Sequence, residues 1–226
     1  MSVVYLVRHG QAILHGPDYD QLSDTGHRQA RLAGEALAAR GVRPSLVVRG
    51  SLERHRQTAD EAASAAGWPR GTEVDGRWDE LDHVNVIAAN RPNYTSHAVM
   101  MADLSEGSDP EDAFIRLYDA ALRNWLVDDG SYVETYAAFQ ARIGRALGEI
   151  TDGLSDRETA VVFTSGGPIS TVAASDLGQD SSAWFALGRV TINAAMTKVV
   201  VGRSGLSLVS FNDHSHLESH DVTTYR

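Results

Sequence analysis

Apolar residues run without interruption from Val3 to Val7 and stop at Arg8-His9-Gly10. A second run, Leu46-Val47-Val48, stops at Arg49-Gly50-Ser51. A third, Ala160-Val161-Val162-Phe163, stops at Thr164-Ser165-Gly166-Gly167. Runs of β-formers with no polar alternation suit strands covered on both faces, as in a parallel sheet. Between the first two runs the period changes. Ala30, Ala33, Leu37 and Ala38 share one helical face, behind the cap candidates Ser23, Asp24 and Thr25 and ahead of Gly41. A second helix is predicted from Ser51 as N-cap to about Ala66, closed by Gly67 and Pro69 and followed by a short strand at 72–74. Strand–helix–strand repeats of this kind build parallel sheets.

From 84 to 154 the pattern predicts no strand. Phe114, Leu117, Tyr118, Ala121 and Trp125 form one amphipathic stripe, and Tyr136, Phe139, Ile143, Leu147 and Ile150 another; both are expected to be core. A helix should follow the third strand through about Leu177. Strands at 195–201 and 206–211, joined across Gly202 and Gly205, should form a hairpin. The polar stretch 212–226 is expected to be only partly ordered. The predicted fold is α/β: a three-layer sandwich with a mostly parallel central sheet flanked by helices. A helical insertion at about 83–154 is expected to cap the sheet's carboxyl edge, within a single domain spanning 1–226.

Composition narrows the chemistry. With 226 residues, 42% hydrophobic and 22% charged, the chain is long enough to bury a sizeable core. A formal net charge of −10 disfavours broad binding to nucleic acid or to an anionic membrane. The absence of cysteine removes disulfides and thiolate catalysis and fits a reducing compartment. No secretory pattern opens the chain, and no apolar run approaches the ~20 residues of a spanning helix. A cytoplasmic protein is therefore expected. His214, His216 and His220 lack further ligands in a defined scaffold, so no metal is expected.

In α/β folds, ligands bind at the carboxyl edge of the strands. That edge receives Arg8, His9 and Gly10 from the first strand and Arg54 from the first turn of the second helix. A neutral imidazole can act as a nucleophile, and a guanidinium offers a planar fork for an oxyanion. A helix N-terminus after Ser165, Gly166 and Gly167 is a third anion-receiving element. Together these suggest attack on a phosphoryl group.

Several stretches resemble the histidine phosphatase superfamily, the phosphoglycerate mutase-like proteins. Leu6-Val7-Arg8-His9-Gly10-Gln11 looks like its signature. Leu22-Ser23, Gly26 and Gln29-Ala30 resemble the following helix, and Ser51, Arg54 and Gln57-Thr58-Ala59 the second arginine motif. Trp78-Asp79-Glu80-Leu81 sits where the family carries its acidic proton donor. Glu134, Phe139 and Arg142 resemble a late helix motif, and Asn212 with His216-Leu217 a common tail.

The resemblance implies that His9 accepts the phosphoryl group, that Arg8 and Arg54 clamp its oxygens, and that Glu80 protonates the leaving oxygen and then activates water. Asp79 and Asp82 compete for that last role. The family usually carries a second histidine, and Gly166 stands where it would fall. His15, the Ser165 hydroxyl and the backbone amides of Gly166 and Gly167 are candidate replacements at the phosphate. The implied activity is hydrolysis of a small phosphorylated metabolite or a phosphoprotein through a phosphohistidine, without a cofactor. The alternatives are a non-catalytic binder of phosphorylated ligands and, ranked last, a phosphoglycerate mutase. The sequence leaves the oligomeric state open, a dimer included.

Overall fold

The structure, a computed structural model, describes every residue except 14–18, 70, 106, 128–129, 131, 204 and 226, together with the side chain of Glu111. In chain order the elements are β1 (Ser2–Arg8), α1 (Asp24–Ala39), β2 (Leu46–Arg49), α2 (Glu53–Ala66), β3 (Glu73–Val74), a 3-10 turn (Gly76–Trp78), α3 (His83–Ala88), α4 (His97–Leu104), α5 (Pro110–Trp125), α6 (Tyr136–Gly153), β4 (Thr159–Thr164), α7 (Gly166–Asp176), α8 (Ser181–Val190), β5 (Met196–Gly202), β6 (Gly205–Asp213) and α9 (Ser215–Glu218).

Two compact units result, Met1–Glu80 with Arg142–Arg226, and Leu81–Ala141. The first holds a six-stranded sheet in the order β3-β2-β4-β1-β5-β6. Neighbours from β3 to β1 are parallel, and the hairpin of β5 and β6 adds antiparallel strands at one side. The continuous apolar runs lie where their pattern predicts: Val4, Leu6, Val7 and all of Ala160–Phe163 are fully buried. Each large side chain of this kind contributes roughly 1.5–3 kcal/mol on burial. α1 and α2 pack so closely that a Cβ on Gly34 would lie 2.2 Å from the Ala62 carbonyl oxygen. Arg8 is registered with Thr164 and Arg49 with Phe163, so three strand ends reach one edge together.

Within the second unit, the indole of Trp125 lies against Tyr136 and Phe139, with ring centroids 5.3 and 5.6 Å away, and donates to the Glu134 carbonyl oxygen at 2.7 Å. Of the first predicted stripe, Ala121 and Trp125 are core, whereas Phe114, Leu117 and Tyr118 are half-buried.

Three expectations change. Ser51 does not cap α2: Leu52 holds the cap position without a side-chain bond, and Asp20 accepts from the Glu53 amide at 2.9 Å instead. α8, absent from the pattern reading, is capped by Asp180 and buries Trp184 and Phe185. The C-terminal stretch is ordered: Gln29 donates to the Val222 carbonyl at 2.6 Å, and Asn193 N–H to that of Thr224 at 2.9 Å. Both bonds run from residues of the body of the unit to the stretch's own backbone carbonyls. Among the described residues no helix is long and apolar enough to cross a membrane.

Candidate active site

The backbone of His9 is fixed from two sides. Its N–H donates to the Thr164 carbonyl at 2.8 Å, and its own carbonyl accepts from Ala194 N–H at 3.1 Å and from Asn193 Nδ2 at 3.2 Å. The ring is buried, with Nδ1 2.7 Å from the Gly10 carbonyl oxygen. A carbonyl can only accept, so Nδ1 carries the proton and Nε2 keeps its lone pair. Burial first, then the charges of Arg54 and Arg8, hold the imidazole well below its ordinary 6.5. His9 is therefore neutral near pH 7.

Gly10 permits a contact that no other residue would. A Cβ there would meet the Gly26 carbonyl oxygen at 2.3 Å, and a Cβ on Gly26 would meet that of Gln11 at 2.1 Å. The Gly10 amide donates to Thr58 Oγ1 at 3.1 Å, and that hydroxyl donates to the Arg54 carbonyl at 2.7 Å. The turn after β1 is thus tied to the first turn of α2, so that both guanidinium groups act on the His9 ring. Arg8 donates to the Thr191 carbonyl and, at 2.9 Å, to that of Tyr225. Arg54 pairs with Asp20.

The third strand end adds Ser165, which follows the registered pair Arg8 and Thr164 and so lies beside His9. Gly166 is the first residue of α7. A Cβ there would meet Arg8 Nε at 3.8 Å, an ordinary contact, so no close approach demands glycine. The Gly167 amide donates to Glu80 Oε2 at 3.0 Å, and the Gly167 carbonyl accepts from Trp184 Nε1 of α8 at 3.0 Å. Arg142 holds the loop bearing Glu80, donating to the carbonyls of Arg77 at 2.6 Å and Asp79 at 2.8 Å. Of the competing carboxylates, Asp82 caps α3, and Asp79 binds the Ser51 amide at 2.6 Å. His15 lies outside the described residues.

The structure also assembles a group that sequence reasoning missed. His55 is fully buried, with Nε2 2.7 Å from Ser165 Oγ and Nδ1 3.6 Å from Asp79 Oδ1. Its ring centroid is 5.8 Å from that of His9. A signal existed: His55, Thr58, Ala59 and Ala62 form the buried stripe of α2, and an imidazole on such a stripe needs polar partners. Burial pushes His55 down to about 4, against the pull of Asp79 and helped by Arg54. Burial works against ionisation of Asp79 too, but the neighbouring His55, Ser51 hydroxyl and Ser51 amide hold its carboxyl below the usual range.

This fixes the sign of an acid effect. An unfolded histidine takes a proton near pH 6.5, whereas native His55 resists until about 4. Stability from this residue is complete above pH 6.5 and lost as pH falls toward 4. His55 should account for roughly 2 kcal/mol of the stability lost in urea unfolding between pH 7 and pH 5, and His55→Asn should shrink that loss by this amount, leaving the share of the other depressed histidines, His9 and His216.

A family model described as the histidine phosphatase superfamily (branch 1) matches residues 4–93 and 103–214. No curated protein sequence matches the chain. Among solved structures, a mutant phosphoserine phosphatase from Entamoeba histolytica in complex with phosphoserine aligns with TM-score 0.66 and 18% identity, covering 96% of this chain and 100% of that one. A putative α-ribazole-5'-P phosphatase from Escherichia coli aligns with TM-score 0.67 and 20% identity over 94% and 96% of the two chains. A phosphoglycerate mutase from Bacillus anthracis gives 0.64 and 20%, over 96% and 95%. At these identities the likeness establishes the shared fold.

Proposed function

The chain belongs to the histidine phosphatase superfamily, branch 1, and on that footing we propose that it hydrolyses phosphomonoesters through a phosphohistidine at His9. The observation that carries this reading is the state of His9: buried, neutral, and under the charges of both Arg8 and Arg54. A tetrahedral dianion at that point meets two cations and an imidazole lone pair. Catalysis of phosphoryl transfer is chiefly positioning and charge stabilisation, which such a cradle supplies.

In the first step His9 Nε2 forms a bond to phosphorus while the ester P–O bond breaks. The leaving oxygen takes the proton of the Glu80 carboxylic acid. In the second, Glu80 as carboxylate removes a proton from water, the water oxygen attacks phosphorus, and the P–N bond breaks to release inorganic phosphate. Asp20 shields Arg54 until an anion displaces it. The substrate class is a small phosphorylated metabolite or a phosphorylated side chain. The ligand named for the phosphoserine phosphatase neighbour is of that chemistry.

The test is incubation with p-nitrophenyl phosphate and an alkaline quench. Turnover should be accompanied by a base-stable, acid-labile phosphoenzyme; turnover without one would overturn the covalent route. Glu80→Gln should lower kcat/KM, which reports the phosphorylation step, roughly 10²–10³-fold on an alkyl phosphate, whose alkoxide needs a proton. It should change kcat/KM on p-nitrophenyl phosphate far less, because nitrophenolate leaves unaided. Equal losses on both substrates would remove Glu80 from the acid role.

A further inference from the structure

The mechanism above leaves one buried group unused: the chain Asp79–His55–Ser165 behind His9. His55 and Ser165 are both fully buried, and Ser165 makes no cap bond to α7, although it occupies the cap position. Its hydroxyl is committed to His55 Nε2 at 2.7 Å. On the other side of the ring, Nδ1 lies 3.6 Å from Asp79 Oδ1, beyond hydrogen-bond distance but close enough for the carboxylate to favour a proton on that nitrogen. Space for this arrangement comes from Gly50. A Cβ there would fall 2.2 Å from His55 Nδ1 and 2.5 Å from Asp79 Oδ1.

We propose that His55 is a positioning residue that takes up a proton when a phosphoryl dianion docks beside His9, and passes the charge to it through the Ser165 hydroxyl. The proposal rests on the phosphoryl-site reading of the pocket. In the empty pocket, Asp79 favours the tautomer with Nδ1–H, so Nε2 accepts the Ser165 O–H. On docking, one proton from solvent adds to Nε2. Nε2–H then donates to Ser165 Oγ, and the freed hydroxyl proton turns to a phosphoryl oxygen. No bond to phosphorus changes in this step, and the proton is returned when phosphate leaves.

The groups facing His55 decide the direction. Asp79 from the loop after the 3-10 turn and Asp20 from the loop before α1 favour its charged form; Arg54 of α2 opposes it, and the neutral ring of His9 at the end of β1 adds no charge. A dianion docked against the His9 ring, whose centroid is 5.8 Å from that of His55, tips a balance that in the empty pocket favours the neutral ring.

Calorimetry with sulfate, itself dianionic at all relevant pH, tests this without turnover. Binding at pH 6.5 is measured in buffers of different ionisation heat, which counts protons. About one proton should be taken up per sulfate by the native protein and by His9→Ala. None should be taken up by His55→Asn, which keeps a donor for Ser165 but cannot titrate. kcat/KM on p-nitrophenyl phosphate should fall roughly 10²-fold in Ser165→Ala. Sulfate binding to the native protein with no proton uptake overturns the relay and leaves the phosphatase reading standing. Uptake lost in His9→Ala assigns the proton to His9 and also overturns it. Absence of sulfate binding removes both. Because a native count of zero, or uptake lost in His9→Ala, overturns the relay without any His55 variant, a His55 variant that fails to fold does not spare the proposal.

Discussion

Alanine in place of His9 is expected to abolish phosphatase turnover, by roughly 10⁴-fold or more in kcat. The loss should be chemical and not conformational. The bonds from residue 9 to Thr164, Ala194 and Asn193 are made by its backbone atoms, and alanine keeps them; what it loses is the local Nδ1 bond to the Gly10 carbonyl. The arginines, which carry the anion, also remain. His9→Ala should therefore unfold close to the native temperature and still bind sulfate, while steady-state release of p-nitrophenol drops to background. Turnover within tenfold of native would mean that another group attacks phosphorus and that the covalent scheme is wrong.

Gly10→Ala should instead act on the fold. Its Cβ would meet the Gly26 carbonyl oxygen, carbon and Cα at 2.3, 2.8 and 2.9 Å, all backbone atoms that no rotamer change can move. Either α1 shifts away from the end of β1 or the turn distorts. Overpacking of this severity costs about 3 kcal/mol or more. In a chain of this size that corresponds to a fall of about 6–12 °C in Tm. Gly144→Ala is the matched control, because nothing lies within 4 Å of its Cβ. It should be neutral or slightly stabilising within α6. Equal melting temperatures for the two variants would show that β1 and α1 are not held as closely as described.

The strands were legible because each apolar run ends in residues that cannot continue it: Arg8-His9-Gly10, Arg49-Gly50, Thr164-Ser165. Burial on both faces leaves no alternative pattern. α1 was equally plain, since Ser23 accepts from Gly26 N–H at 3.1 Å, as a cap at that spacing should. The hairpin of β5 and β6 followed from its two glycines. What escaped was set by distant partners. α8 is ten residues with two buried aromatics, too short for its period to stand out. The end of the chain is ordered by Gln29 and Asn193, and no local pattern in 219–225 announces them. His55 and Ser165 are 110 positions apart. Adjacent to Arg54 in the sequence, His55 was overshadowed by the motif it sits in. Its helical phase, shared with Thr58, Ala59 and Ala62, was the better guide.

The space above Gly50 also limits which substitutions can be combined. A Cβ at that position would lie 2.2 Å from His55 Nδ1 and 2.5 Å from Asp79 Oδ1, so neither side chain could keep its present place. Gly50→Ala should therefore be harmful beside His55 and cost less beside a small residue at 55, and the effects of the two substitutions should not add.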